Sequence, residues 1–219
     1  MIRPSRRTAR TALVGLATLG LVGGVAFQVG AESATEPPRP GEVRPYLTAG
    51  ATNPLIANGV AIGRDVELYK TSGLGPAALN TAATPGTPKA YVDPAMFPGG
   101  KLHGGVTITE AQGLNVLARI GENLAAAGLT YSDVHTMRVF LANPPGKATA
   151  DFDGWNRAYR QYFANVDLGT GQTVPVVMGT RPAAPPLVAN AARPSRFALE
   201  IATLPVAGWL VEVEVDAHY

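Results

Sequence analysis

Apolar residues recur along this chain with two different periods, and each change of period marks an element. Leu114, Leu117, Ile120 and Leu124 return every three or four positions, which places one apolar stripe on a helix. Thr109 followed by Gln112 fits a capping box at its start, and Gly128 stands where a glycine ends a helix. The period then falls to two: His135, Met137, Val139 and Leu141 share one face of a strand predicted over 134–141. A second helix is expected over about 152–164, with Asp151 as N-cap and Phe152, Trp155, Tyr159 and Tyr162 or Phe163 as its buried stripe. Two strands follow near the end. The first sets Arg196, Ala198 and Glu200 against Phe197, Leu199 and Ile201; the second sets Glu212, Glu214 and Asp216 against Val211, Val213 and Val215. Upstream, 60–72 reads as a hairpin-like pair of short strands around Gly63.

Between these elements lie two Pro/Gly-rich stretches, about 74–106 and 165–192, with little periodicity apart from VPVVM (174–178), which could add a short strand. Two helices and five or six strands, without strict βα alternation, predict an α+β fold with a mixed or antiparallel sheet and both helices on one face. No internal repeat is visible. The 219 residues fit a single domain over 53–219, preceded by a Pro-rich, polar spacer at 32–52.

Composition matters chiefly at the N-terminus. Arg3, Arg6, Arg7 and Arg10 precede the apolar stretch Thr11–Gly30, and Val29-Gly30-Ala31 supplies small residues before Glu32, the pattern of a secretory signal over 1–31. An uncleaved anchor is the alternative, although five glycines, Thr18 and Gln28 weaken the stretch as a spanning helix. Ser5-Arg6-Arg7 is half of a twin-arginine motif, so either export route remains open. An exported location follows, with no stable membrane association once the signal is removed. The formal charge of +2 also belongs to the leader: without it 14 basic residues face 16 acidic ones, a net charge of −2. An acidic domain is a poor match for nucleic acid. With no cysteine, the chain has no disulfide and no thiol chemistry.

Few residues advertise chemistry. His103, His135 and His218 are scattered and form no metal-ligand spacing, so no metal is expected. No Gly-x-Ser-x-Gly elbow supports a serine hydrolase, and Gly73–Pro76 lacks the lysine of a phosphate loop. Arg196 by itself is a strand-start arginine that solvent or a salt bridge would satisfy, and Arg193 or Arg181 could serve equally.

Position decides among them. Ser72-Gly73, LAAAGLTYSDVHTMRVFL (124–141), WNRAYRQYF (155–163), RFALEIATLP (196–205) and LVEVEVDA (210–217) occur in an order that resembles the Rid (YjgF-like) family. The resemblance covers most of 54–217, interrupted by the two Pro/Gly-rich stretches, which then read as insertions. It implies a chorismate-mutase-like α+β subunit, a homotrimer with pockets at the subunit clefts, and cofactor-free hydrolysis of an imine or enamine carboxylate to a keto acid and ammonia. It assigns Arg196 to the substrate carboxylate, since a planar guanidinium grips a carboxylate with two parallel bonds. Glu212 falls where the family orients or activates water, and Asn156 and Ser72 fall on pocket positions. Three departures accompany these matches. The family's early Tyr falls near Ile56, Ala198 replaces a frequent Cys, and one extra residue separates Leu204-Pro205 from Glu212.

The residues leave alternatives beside this one. Glu214 reads as half of an ion pair or as a solvent-facing group, Asn156 as a surface amide, and Trp155 and Tyr159 as core. A trimer that binds a carboxylate without catalysis, or a protein-binding or holdase role, is compatible with the same sequence. Ribonuclease activity, attached by name to relatives, fits poorly with an acidic domain that has no catalytic pair of histidines.

Overall fold

In the computed structural model, residues 36–219 are described; the export signal expected over 1–31 lies outside them. The elements in chain order are β1 (Val43–Tyr46), β2 (Gly59–Ile62), β3 (Leu68–Lys70), α1 (Ile108–Ala126), β4 (Val134–Leu141), α2 (Phe152–Arg160), β5 (Ser195–Glu200) and β6 (Val211–His218). A four-stranded sheet has the order β3-β6-β4-β5, antiparallel except where β4 and β5 run parallel. This is the mixed α+β sheet that the pattern predicts.

The two periodicities explain the layering. Leu114, Leu117, Ile120 and Leu124 of α1 are buried against Met137, Val139 and Leu141 of β4 and Val211, Val213 and Val215 of β6. From α2, Trp155 and Tyr159 join the same core, together with Phe163 just beyond it. Burying side chains of this size stabilises the fold by about 1.5–3 kcal/mol each. Both helices therefore occupy one sheet face. On the other face Arg138 lies between Glu214, at 3.0 Å, and Asp216, at 2.8 Å, and Lys70 closes on Glu214. Glu214 is thus an ion-pair partner within its own chain.

Helix ends follow their caps with one shift. Thr107, rather than Thr109, caps α1 by accepting from Glu110 N–H. Gln112 is instead buried and bridges Gly208 and Leu210, while Asn115 one turn on bridges Ala77 and Tyr91. With the further bond from Gln112 to Pro88 O, these amides tie the stretch 74–106 to α1. Gly128, at φ 77°, ends α1 with Leu129 N–H returning to Leu124 O, a closure that needs a left-handed residue. Asp151 caps α2 as expected, but α2 stops at Arg160 and Phe152 lies outside the core, 37% exposed.

Two expectations need correction. The segments within 60–72 do not pair with each other: β2 pairs with β1, and β3 pairs with β6. Part of the spacer read over 32–52 is strand, because Pro45 sits on the two-stranded ribbon's edge, where a missing N–H is tolerated. The ends also shift: β5 finishes at Glu200 and β6 continues to His218. The stretch 165–192 carries isolated bridges, Val166 to Thr173 and Val176 to Ala184, rather than a strand. It is anchored by buried amides: Asn165 donates to Arg160 O and Val188 O, and Asn190 donates to Tyr162 O. The two Pro/Gly-rich stretches meet where Thr180 N–H donates to Gly104 O at 2.7 Å.

Candidate functional site

Strand register fixes where the candidate arginine points. Arg196 is the second residue of β5 and lies opposite Met137 of β4, so it shares the helix-covered face. There its guanidinium carbon sits 4.3 Å from the Tyr159 ring centroid, a cation–π contact. Its Nη2 donates to Asn156 Oδ1 at 2.7 Å. Its Nη1 is buried and has no hydrogen-bond partner, and Arg196 is in none of the ion pairs among the described residues. Burial pulls its pKa down, the Tyr159 hydroxyl opposes that shift, and Arg160 adds to it. A buried guanidinium with an unpartnered donor and no carboxylate is electrostatically incomplete, and an anion would complete it.

Asn156 and Arg160 stand one turn apart on α2 and open onto a cleft of about 470 Å³. Asn53 and Leu55 line it, as do Val174–Val177 from the second Pro/Gly-rich stretch. Asp153 and Arg157 complete the α2 side. Asn53 is held by two arginines, accepting from Arg160 at 2.9 Å and Arg193 at 3.2 Å. Both also donate to main-chain carbonyls, Arg160 to Ala164 O and Arg193 to Val166 O. Burial lowers the pKa of each, and no carboxylate pairs with either among the described residues. Three guanidinium groups around Tyr159 thus make a local positive field. The fourth, Arg157, is neutralised: Glu110, fully buried, accepts from its Nε at 2.9 Å and from Gly179 N–H at 2.8 Å.

The other sequence-derived residues lie elsewhere. Glu212 of β6 pairs with Phe140 of β4, so it is on the sheet face opposite Arg196. Its carboxylate packs on Gly73, beside Ser72, which is exposed. Unlike Glu214 and Asp216, Glu212 makes no ion pair among the described residues. Within one chain the structure therefore joins Arg196 to Asn156 and Glu212 to the Ser72-Gly73 corner, but does not join the two groups. Of the alternative arginines, Arg193 is engaged as described and Arg181 reaches His103 O at 3.3 Å. Sequence reasoning missed Tyr159 as the ring under Arg196, and it missed Arg160, Asn53, Leu55 and Val174–Val177. The four-residue step from Asn156 to Arg160 carried the only signal, because the rest depends on how distant loops close. Among the described residues no three His, Asp or Glu side chains cluster as metal ligands.

Comparison with known proteins places this geometry in context. Residues 97–219, more than half of the chain, match the family model described as Endoribonuclease L-PSP. No curated protein matches. Similar solved structures include a member of the YjgF/YER057c/UK114 family from Mycobacterium tuberculosis, with 18% identity, TM-score 0.38, 81% of this chain covered and 100% of that one. E. coli TdcF with bound serine has 20% identity and TM-score 0.39, with 83% and 93% covered. A Rid protein of unknown function from Yersinia pestis has 19% identity and TM-score 0.39, with 81% and 98% covered.

Proposed function

The chain belongs to the endoribonuclease L-PSP family, the YjgF/Rid family, and from that premise we propose that it is an exported protein that holds a small imine or enamine carboxylate at Arg196 and hydrolyses it to a keto acid and ammonia. The observation that carries this is the guanidinium of Arg196: buried, braced by Asn156 and Tyr159, with Nη1 unpartnered and no acid beside it. A carboxylate there would receive a charge-assisted bond and be fixed in orientation. The substrate's C=N carbon would then lie toward the cleft, where water adds, the C–N bond breaks and nitrogen departs as ammonia while C=O forms. No cofactor is needed, because the imine is already electrophilic.

Glu212 has a place in this chemistry only across a subunit boundary, since within its own chain it faces away from Arg196. A homotrimer would supply that boundary. The exposed side chains of Phe197 and Leu199, with Phe140 beside Phe197, support such an association, because an apolar strip on an edge strand favours a covering partner. Ser72, at the Gly73 corner under the Glu212 carboxylate, would contribute from the same side. The export assignment rests on the arginines and apolar stretch of 1–31.

The test is ammonia release from imino acids generated in situ by an amino-acid oxidase. Release above the spontaneous rate that Arg196→Ala abolishes supports a carboxylate-anchored deaminase. Release at the background rate for every imino acid rejects it. A second reading, capture of a carboxylate without turnover, is favoured by one observation: the separation of Glu212 from Arg196 within a chain. It predicts keto-acid binding that depends on Arg196 with no ammonia release.

A further inference from the structure

Arg196 does not line the cleft onto which Asn156 and Arg160 open, and that cleft has charges of its own. Arg157 is neutralised by Glu110, but Asp153 and Arg160 are in none of the ion pairs among the described residues. Every bond that Arg160 donates runs from Nη1 or Nη2. Its Nε–H is therefore free, and unlike Arg196 Nη1 that nitrogen is not buried. Asp153 is exposed. The two residues stand seven positions apart on α2, so two helical turns, ~10 Å along the axis, separate a lone anion from a lone cation.

The lining away from α2 is chiefly apolar: Leu55 and Val174–Val177, with Val177 41% exposed. The segment 174–177 is held in place, because Val174 N–H donates to Asn165 O, Val176 N–H to Ala184 O, and the Gln161 side chain to Val177 O. Val177 N–H and the carbonyl oxygens of Val174 and Pro175 have no partner among the described residues. Apolar side chains beside unused main-chain donors and acceptors suit a second stretch of peptide.

We propose that this cleft is a second binding site, independent of Arg196, for short apolar peptides, with the N-terminal ammonium at Asp153 and the C-terminal carboxylate at Arg160. A free amino acid carries its two charges only two bonds apart and meets one residue or the other. Three extended residues span ~10 Å, at roughly 3.3–3.6 Å each, and so match the separation along α2. The cleft's volume of about 470 Å³ lies within the roughly 300–1,000 Å³ of small-ligand pockets. Apolar side chains on the peptide would cover Leu55 and the valines and gain burial there.

Calorimetric titration of the purified chain with leucyl-valyl-leucine tests this. Free leucine should bind at least ~30-fold more weakly than the tripeptide. N-acetylation of the peptide should weaken binding ~5-fold, as for an exposed ion pair, and C-terminal amidation ~10-fold, because Arg160 is partly buried. Asp153→Asn, a change at an exposed side chain, should bring the free and acetylated peptides to equal affinity and keep the preference for a free C-terminus. Arg196→Ala should still bind the tripeptide, so peptide binding and Arg196-dependent ammonia release can each fail while the other stands. Absence of tripeptide binding, or equal affinity for the free and capped peptides, would overturn the site. An acetylation penalty that survives Asp153→Asn would overturn the placement of the N-terminus. Binding lost in an Arg196→Ala protein of unchanged Tm would put the peptide at Arg196 and overturn the second site.

Discussion

Asn156 Oδ1 accepts from Arg196 Nη2 at 2.7 Å, joining the middle of α2 to the start of β5 across the covered face of the sheet. The bond holds the guanidinium over Tyr159 and leaves Nη1 as the unpartnered donor. Asparagine is suited to this position because it accepts without neutralising the charge, whereas an aspartate there would take the place of the ligand.

Removing that acceptor should therefore affect affinity more than stability. Asn156→Ala is expected to weaken carboxylate binding by ~10-fold, the order of one hydrogen bond to a charged group. Asn156→Asp should weaken it more, because an internal carboxylate would satisfy Arg196. Titration with a keto acid, beside thermal unfolding of the same variants, checks both. Equal affinity in wild type and Asn156→Asp would show that Arg196 binds no anion.

Glu110 is expected to carry a large share of local stability. It is fully buried, receives both Nε and Nη2 of Arg157 at 2.9 Å, and accepts from Gly179 N–H. Glu110→Ala leaves Arg157 unpaired, although that side chain retains 25% exposure and is partly solvated. A loss of about 3 kcal/mol, at the lower end for breaking a buried pair, follows. In a domain of this size that corresponds to a fall of roughly 6–12 °C in Tm by calorimetry.

Gly179 shows how tightly the second Pro/Gly-rich stretch is fitted. Its φ of 62° is left-handed, and a Cβ there would overlap Gly104 O and Val106 N. Both obstacles are backbone, so no side-chain rotation relieves them. Gly179→Ala should lower stability by about 2 kcal/mol or more and disturb the bond from its own N–H to Glu110, which holds this stretch against α1. Limited proteolysis should then cut within 174–181 in the variant at protease levels that spare the wild type.

The repetitive elements were legible in the sequence because each is dictated by neighbours three, four or two positions away. Leu114 to Leu124 and Met137 to Leu141 are buried as their spacing implies. Polar residues whose partners lie far along the chain were not legible. Gln112 looked like half of a capping box because its acceptor at Gly208 and donor at Leu210 are nearly a hundred residues away. The strand over Val43–Tyr46 was hidden by prolines that favour linkers, although an edge position accepts Pro45. At the site the outcome was mixed for the same reason. Arg196 and Asn156 follow from motif position, and the structure joins them. The cleft beside them depends on 174–177 folding back to face 53–55, which no local pattern encodes.

His135 should make stability fall as pH is lowered. It is 5% exposed, its Nε2 has no partner, and it packs beside His218 with ring centroids 5.9 Å apart. Burial is the main cause of its lowered pKa; Asp216 opposes that shift, while His218 and Arg138 add to it. The folded chain thus binds this proton less readily than the unfolded chain, whose histidine titrates near 6.5. Between the folded and unfolded values only the unfolded chain is protonated, so stability is fully present above about 6.5 and is lost as pH falls below it. One such group contributes a slope no steeper than about 1.4 kcal/mol per pH unit. Urea unfolding at a series of pH values from 8 to 5 should show the decline in the wild type and a shallower one in His135→Gln, which cannot titrate. Parallel curves for the two proteins would assign the decline to other groups.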